Sequence, residues 1–334
     1  MKTVALPRRL PAGLNRMPRN YLPVLVTGAL FIAMFTAGGI RYEGFATGQI
    51  ILNVFIDNAF LLVVAVGMTF VILTGGIDLS VGSVVALTTM IAASLLPSTP
   101  SFLVILLVLA IGGVLGAAMG AIIHYFEIQP FIVTLAGMFL ARGLCYTIGT
   151  DSIPISDPTF TAIAQTRIDL APELWISPTV LIALAVVLVA TYTLHYTRLG
   201  RNVYAVGGNE QSALLMGLPV ARTKIAVYTI SGLCSALGGL LLSFYMLSGY
   251  GLHAVGMELD AIAAVVIGGT LLTGGSGYLL GTVLGVLVLG LIQTVISFEG
   301  TLSSWWTKIV IGLLLLVFIL LQRLIVTTGV SRER

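Results

Sequence analysis

The sequence predicts an all-α, polytopic membrane protein with about ten transmembrane helices and an internal pseudo-repeat. Three observations carry this reading. Of the 334 residues, 58% are hydrophobic and only 9% are charged. Soluble domains carry about 25% charged residues, so this chain cannot cover its surface against water. Apolar runs of about 20 residues, the length that crosses a bilayer, recur along the whole chain. Finally, a glycine-broken segment occurs twice in corresponding surroundings.

Ten stretches qualify as spans: 21–40, 50–74, 79–96, 102–123, 131–149, 176–194, 225–248, 259–273, 277–296 and 305–321. The first follows Lys2, Arg8, Arg9, Arg16 and Arg19, as a signal peptide would. It is long enough to span, and no small-residue cleavage site follows it, so it reads as an uncleaved helix. The eighth is short and glycine-rich and reads as a half-helix or re-entrant segment.

Loop charge orients these spans, because cytoplasmic loops are enriched in Lys and Arg. The basic segments are the tail 1–20, the loop 198–224 with Arg198, Arg201, Arg222 and Lys224, and the tail 323–334. Ten spans place all three on one side, which makes both termini and the 198–224 loop cytoplasmic. The loop 150–175 falls on the periplasmic side and is acidic, with Asp151, Asp157, Asp169 and Glu173 against Arg167. The whole of 21–322 forms one transmembrane domain, with no linker and no loop large enough for a soluble one.

The repeat pairs Leu73-Thr74-Gly75-Gly76, five residues and Gly82-Ser83-Val84 with Leu272-Thr273-Gly274-Gly275, five residues and Gly281-Thr282-Val283. Glycine-interrupted apolar segments at matching places in two halves point to a transport path. Gly112, Gly116 and Gly120 form one small-residue face, and Gly277, Gly281 and Gly285 another. Such faces let helix backbones approach closely in a bilayer. They serve either packing within the chain or a subunit interface.

Ionisable residues inside spans are costly, about 2.5–3.5 kcal/mol each at the bilayer centre. Asp78, just before the third span, suits N-capping through the amides of residues 79–81. Arg142 lies close enough to the outer end to snorkel. Asp57 with Asn58, and Glu258 with Asp260, sit near outer helix ends. They suit either hydrogen bonding to a solute or binding protein, or capping and solvation. Thr74, Phe131, Thr134 and Trp305 complete the residues expected along a path or its outer entrance. Trp305 and Trp306 fit an interfacial aromatic belt, with stacking on a ligand as the alternative.

The loop 204–224 contains Gly207-Gly208, a helix breaker, then Asn209 as an N-cap. One or two helical turns follow over 212–216, ended by Gly217 and Pro219. The turns are expected to expose Ala213, Leu214, Leu215 and Met216, either to a docking partner or to the membrane surface.

Gly-Gly-Asn-x-x-Ser-Ala-x-x-x-Gly at 207–217, followed by Arg222 and Lys224, resembles the coupling loop of ABC-importer permeases of the ribose, xylose and galactoside type. Three further stretches resemble the same family: 58–85, Pro-Phe-Ile-Val-Thr-Leu-Ala-Gly-Met from Pro130, and Glu-Leu-Asp-Ala-Ile-Ala-Ala-Val-Val-Ile-Gly-Gly-Thr from Glu258. The segment 300–308, with Ser152-Ile153-Pro154-Ile155, most resembles a permease of the galactofuranose importer. The resemblance implies a permease subunit of the bacterial inner membrane that moves a monosaccharide and hydrolyses nothing. It further implies ABC ATPase subunits carrying the ATP-Mg, a second permease copy or homologue, and a periplasmic sugar-binding protein. Carried over by motif, Gly208, Asn209, Glu210, Ala213, Met216 and Gly217 fall in the part that couples to the ATPase.

Other classes fit less well. An ion-coupled secondary transporter relies on buried carboxylates or proton relays at the membrane midplane, and few are present. The chain has no G-x-x-x-x-G-K-[ST] phosphate cradle. His124, His195 and His253 lack metal-ligand spacing. Cys145 and Cys234 sit in apolar runs as small hydrophobes. The positive charge sets membrane orientation and gives no sign of nucleic-acid binding.

Overall fold

The computed structural model describes residues 22–301, 303 and 305–330, with side chains to 320. The tail 1–20 and the last four residues, with their basic side chains, lie outside this range. The helices are α1 (Leu22–Arg41), α2 (Gly48–Leu73), α3 (Val81–Leu95), α4 (Ser101–Tyr125), α5 (Pro130–Ile148) and α6 (Pro158–Gln165). They continue with α7 (Pro178–Tyr196), α8 (Arg198–Gly208), α9 (Glu210–Leu215), α10 (Val220–Met246), α11 (Met257–Ile267), α12 (Leu279–Glu299) and α13 (Trp305–Val330). The all-α expectation needs a small addition. Strand β1 (Ile153–Pro154) pairs antiparallel with β4 (Ser248–Gly249), and β2 (Ile168–Ala171) with β3 (Leu174–Ile176).

Local chemistry sets several helix starts. Thr47 Oγ1 accepts the Ile50 amide ahead of α2, and Ser177 caps α7 with Pro178 in its first turn. Asp157 accepts the Thr159 and Phe160 amides ahead of α6, and Thr197 caps α8. Each cap pairs a donor that the helix leaves open.

α2 is the centre of the fold: residues 61–73 are buried without a break. α10, α12, α7 and α11 pack around it. α4 turns Val104, Val108, Gly112, Gly116, Met119 and Gly120 inward against α10, and Phe102, Leu103, Leu106 and Val114 outward. An exposed apolar band of this kind suits a lipid environment. The glycine faces act within the chain. A Cβ on Gly116 would strike the Tyr228 carbonyl, one on Gly281 the Gly268 carbonyl, and one on Gly285 the Ala264 carbonyl. Gly277 lies before α12, beside Thr270.

The ten candidate spans are not all full-length helices. Among the described residues seven helices are long and apolar enough to cross a bilayer. α3 has 15 residues and α11 only 11, about 22 and 17 Å of helix. Both fall short of the roughly 30 Å hydrocarbon core. The eighth candidate, 259–273, ends as helix at Ile267, because the chain turns through Gly268 and Gly269. The apolar part of α13 described with side chains spans Trp305–Leu320.

After α2 ends at Leu73, the chain turns at Gly75 (φ +78°) and continues without helix or strand to Ser80 before α3 starts. Buried backbone of this kind needs partners. Thr134 Oγ1 of α5 donates to the Ile77 carbonyl at 3.2 Å. Asp78 is fully buried; its Oδ1 accepts the Ser80 amide (2.9 Å) and hydroxyl (2.6 Å). Its Oδ2 accepts the Ser231 hydroxyl of α10 at 2.6 Å. Asp78 therefore does not cap the first turn of α3 as expected: it holds Ser80, the residue at the N-cap position, and ties the α3 start to α10. The N-terminus of α11 meets α3 here: Gly82 packs against Glu258 and the Ala254 carbonyl.

Two measurements check this packing. Gly116→Ala is expected to lower stability by about 1–3 kcal/mol through overpacking against the Tyr228 carbonyl. Gly143→Ala, with open space around it, should gain about 0.5–1 kcal/mol of helix stability. Thermal unfolding of the two detergent-purified variants reads the opposite signs. Ser231→Ala leaves one Asp78 oxygen without its donor and is expected to cost about 1–3 kcal/mol; the same melt would show no change if that hydrogen bond were unimportant.

Candidate functional site

Two groupings stand out, one at each end of the helices. The first forms where the basic loop 198–224 meets both glycine turns. The Gly275 amide donates to the Leu73 carbonyl at 2.9 Å, so the two copies of the sequence repeat touch backbone to backbone. Gly274 and Gly275 have φ of +83° and +73°, and a Cβ on Gly274 would crowd the Gly75 amide. The end of α8 closes on the same point. A Cβ on Gly207 would collide with the Leu73 carbonyl, and Gly208 lies against Gly275. Tyr204 of α8 donates its hydroxyl to the Gly277 carbonyl at 2.8 Å. Burial pushes that hydroxyl up to about 12, and the neighbouring Tyr278 adds to the shift. Tyr204 thus remains a donor at neutral pH.

α9 hangs from this junction. Asn209 Oδ1 accepts the Ser212 amide at 2.7 Å, the cap expected from sequence, and Gly217 (φ +75°) ends the motif. Leu214, Leu215 and Met216 are 63%, 89% and 68% exposed, a contiguous apolar knob. The expectation for Ala213 is corrected: it is fully buried among Val206, Val220 and Leu218, because a six-residue helix must turn one side to its support. Gly208 does not break the helix before it but is the last residue of α8. Glu210 pairs with Lys224 at 2.6 Å, which holds α9 to the start of α10.

The second grouping is a cleft of about 450 Å³ at the opposite ends of α2, α10 and α12. Asn53 and Asp57 project from α2, Gln293, Thr294 and Ser297 from α12, and Tyr245 from α10. Tyr245 donates to Asp57 Oδ1 at 3.1 Å. Asn58 lines the cleft too; it is nearly buried and donates to the Val54 carbonyl. A second, mostly apolar cavity of about 360 Å³ adjoins at Phe60 and includes Tyr250 and His253. Burial, and then the Arg142 guanidinium, hold the His253 imidazole below its ordinary pKa.

The other expected path residues scatter. Asp260 is taken up by Lys308 of α13 at 2.7 Å, so its carboxylate is a helix-to-helix tie. Glu258 lies inward, at the start of α3, with Oε2 buried and without a hydrogen-bond partner. Thr74 donates to the Val71 carbonyl, and Thr134 supports the 77–80 segment. Phe131 is half exposed at the start of α5, and Trp305 is 78% exposed at the start of α13. Arg142 does not snorkel: it donates to the Gly251 and His253 carbonyls at 2.5 and 2.9 Å. Those carbonyls, opened by the loop before α11, offer partners that the sequence does not reveal. Sequence reasoning also missed Asn53, Gln293 and Tyr245. The signal available was the four-residue spacing of Asn53 with Asp57 and of Gln293 with Ser297, one face on each helix. Among the described residues no group of three or more His, Cys, Asp or Glu is placed to hold a metal ion.

Residues 50–319 match the family model described as branched-chain amino acid transport system / permease component. The chain is 47% identical over 309 residues to the inner membrane ABC transporter permease protein YjfF of Escherichia coli K12, covering 92% of this chain and 93% of that protein. It is 43% identical over 325 residues to the fructose import permease protein FruG of Bifidobacterium longum, covering 95% of each. It is 41% identical over 294 residues to the ribose import permease protein RbsC of Haemophilus influenzae, covering 87% and 90%. No solved structure matches it. With a match over most of its length and relatives aligned nearly end to end, the chain belongs to the branched-chain amino acid transport system / permease component family, a membrane permease subunit rather than an enzyme.

Proposed function

We propose that this chain is the membrane subunit of an ATP-driven importer that carries a monosaccharide across the bacterial inner membrane, galactofuranose or a related sugar. The observation that carries the reading is the exposed knob Leu214, Leu215 and Met216, seated on a junction that joins both glycine turns. Exposed apolar side chains at the tip of a short helix call for a protein partner. The relatives named for fructose and ribose import support a sugar as cargo. In this reading α9 docks the ATPase subunits, which hold the ATP-Mg, and Gly208, Asn209, Glu210, Met216 and Gly217 shape or present the docking surface. Ala213 supports it from beneath. A second permease subunit, copy or homologue, completes the membrane part, and a periplasmic sugar-binding protein delivers the cargo to the acidic end. Both termini and the 198–224 loop face the cytoplasm.

Reconstituted with its ATPase partner, the chain should import labelled sugar only with ATP. Leu215→Arg should weaken docking by about 2 kcal/mol, the scale of an interface anchor, and cut coupled ATP hydrolysis while leaving the melting temperature unchanged. Uptake by the purified chain alone, against a gradient, would sink the reading. Orientation has its own check. Cys145 and Cys234 are buried, so single added cysteines report cleanly. In intact spheroplasts Leu170→Cys, exposed on the acidic hairpin, should react with a membrane-impermeant maleimide, whereas Leu215→Cys should react only with a permeant one.

A further inference from the structure

The cleft between α2, α10 and α12 has a chemistry that the family description does not assign, and it discriminates between cargo classes. Asp57 lies nine residues into α2, and Gln293 six residues before the end of α12. Neither position caps a helix end, and α2 already has its cap in Thr47. Polar side chains this far into apolar helices carry an insertion cost, so they mark function by default. Three features of the lining define the ligand. Asp57 keeps Oδ2 unbonded while Tyr245 fills Oδ1, and the Gln293 amide has no partner among the described residues. Thr294 and Ser297 spend their hydroxyl protons on the Gly290 and Gln293 carbonyls, which leaves their oxygens as acceptors. The Tyr245 ring packs at 6.0 Å from Phe60, an aromatic edge beside the polar wall. Among the described residues no Lys or Arg lines the cleft.

Resting on the sugar-importer reading, we propose that this cleft is the outer sugar site of the permease. Asp57, Gln293, Thr294 and Ser297 exchange hydrogen bonds with the hydroxyls of a neutral monosaccharide, and the Tyr245–Phe60 edge meets its C–H face. The volume is in the range of small-ligand pockets. A branched-chain amino acid does not fit this chemistry. Its ammonium could pair with Asp57, but its carboxylate would find no cation among the described lining residues and would face the Asp57 carboxylate. A phosphorylated sugar would be repelled by Asp57.

The test is uptake by the complete transporter in a host lacking its own sugar importers, with D-ribose, D-fructose, D-galactose and L-leucine as labelled probes. Gln293→Ala removes one contact to the sugar, and Tyr245→Phe removes the hydroxyl that orients Asp57. Each is expected to raise KM for the transported sugar about ten-fold, the value of one hydrogen bond, with membrane level and melting temperature held. Asp57→Ala should do more, and Asp57→Asn should recover part of the loss. Sugar uptake by the wild type with unchanged KM in Gln293→Ala, Tyr245→Phe and Asp57→Ala overturns the assignment of the cleft alone. Wild-type uptake of leucine and of no sugar overturns the functional reading, and the ligand class with it.

Discussion

A hydrocarbon interior offers no water to a broken helix, so every backbone group freed by a break must find a partner inside the protein. This chain breaks its helices twice, after α2 and after α11, and satisfies the breaks partly against each other. The Gly275 amide on the Leu73 carbonyl is the point where the two solutions meet. It requires backbones to approach without side chains between them, which is why glycine recurs at 75, 207, 274 and 275. A methyl group at Gly207 would occupy the place of the Leu73 oxygen itself. The junction also leaves nothing soft in the way. Backbone on backbone cannot absorb a displacement by rotamer changes, as packed side chains can.

Single polar side chains close the rest of the α2–α3 break and the connection before α11. Asp78 is fully buried and accepts three hydrogen bonds, two local and one from Ser231 across the α3–α10 contact. A buried carboxylate is tolerable only when it is satisfied in this way. Arg142 does the reverse at the start of the α10–α11 connection: it supplies donors to carbonyls that the loop leaves open. Lys308 and Asp260 join α13 to α11. Where the pairing is exposed, as there, it adds little stability but fixes which face of α13 meets the short helix.

Much of this was legible in the sequence. The repeat Leu-Thr-Gly-Gly located both turns, and the G-x-x-x-G spacing from Gly112 to Gly120 marked the closely packed face of α4 though not its partner α10, because both follow from local sterics. Asn209 announced its cap for the same reason. The failures are all long-range. The glycines of 259–273 announced a half-helix, but not that Gly268 and Gly269 end α11 through contacts with α1 and α12. Nothing near Asp260 in sequence reveals Lys308, and nothing near Arg142 reveals the 251–253 carbonyls. The burial of Ala213 depends on Val206 and Val220, which reach it only once α8 exists, and α8 itself was hidden in a stretch too polar to read as a span. The cleft escaped notice because its three walls lie far apart in the chain, although the α2 and α12 walls carry polar residues at helical spacing.

The two groupings are mechanically connected, and the connection follows from which helices they share. α2 begins at the cleft, with Asn53 and Asp57, and ends at Leu73 in the junction, about 39 Å of helix for 26 residues. α12 starts just past the second glycine turn and carries Gln293 and Ser297 to the cleft, about 31 Å for 21 residues. Both helices are buried over most of their length, so neither can bend freely around its neighbours. The two are also locked together near the junction by the Thr69–Thr282 hydroxyl pair at 2.9 Å. A push on α9 reaches Gly207 and Gly208 through α8, then both turns at once, and leaves along two rods that form facing walls of the same cleft. The rods also touch near the cleft, where Gly290 of α12 packs against Asn58 and Val54 of α2, so they form one unit from the junction to the cleft.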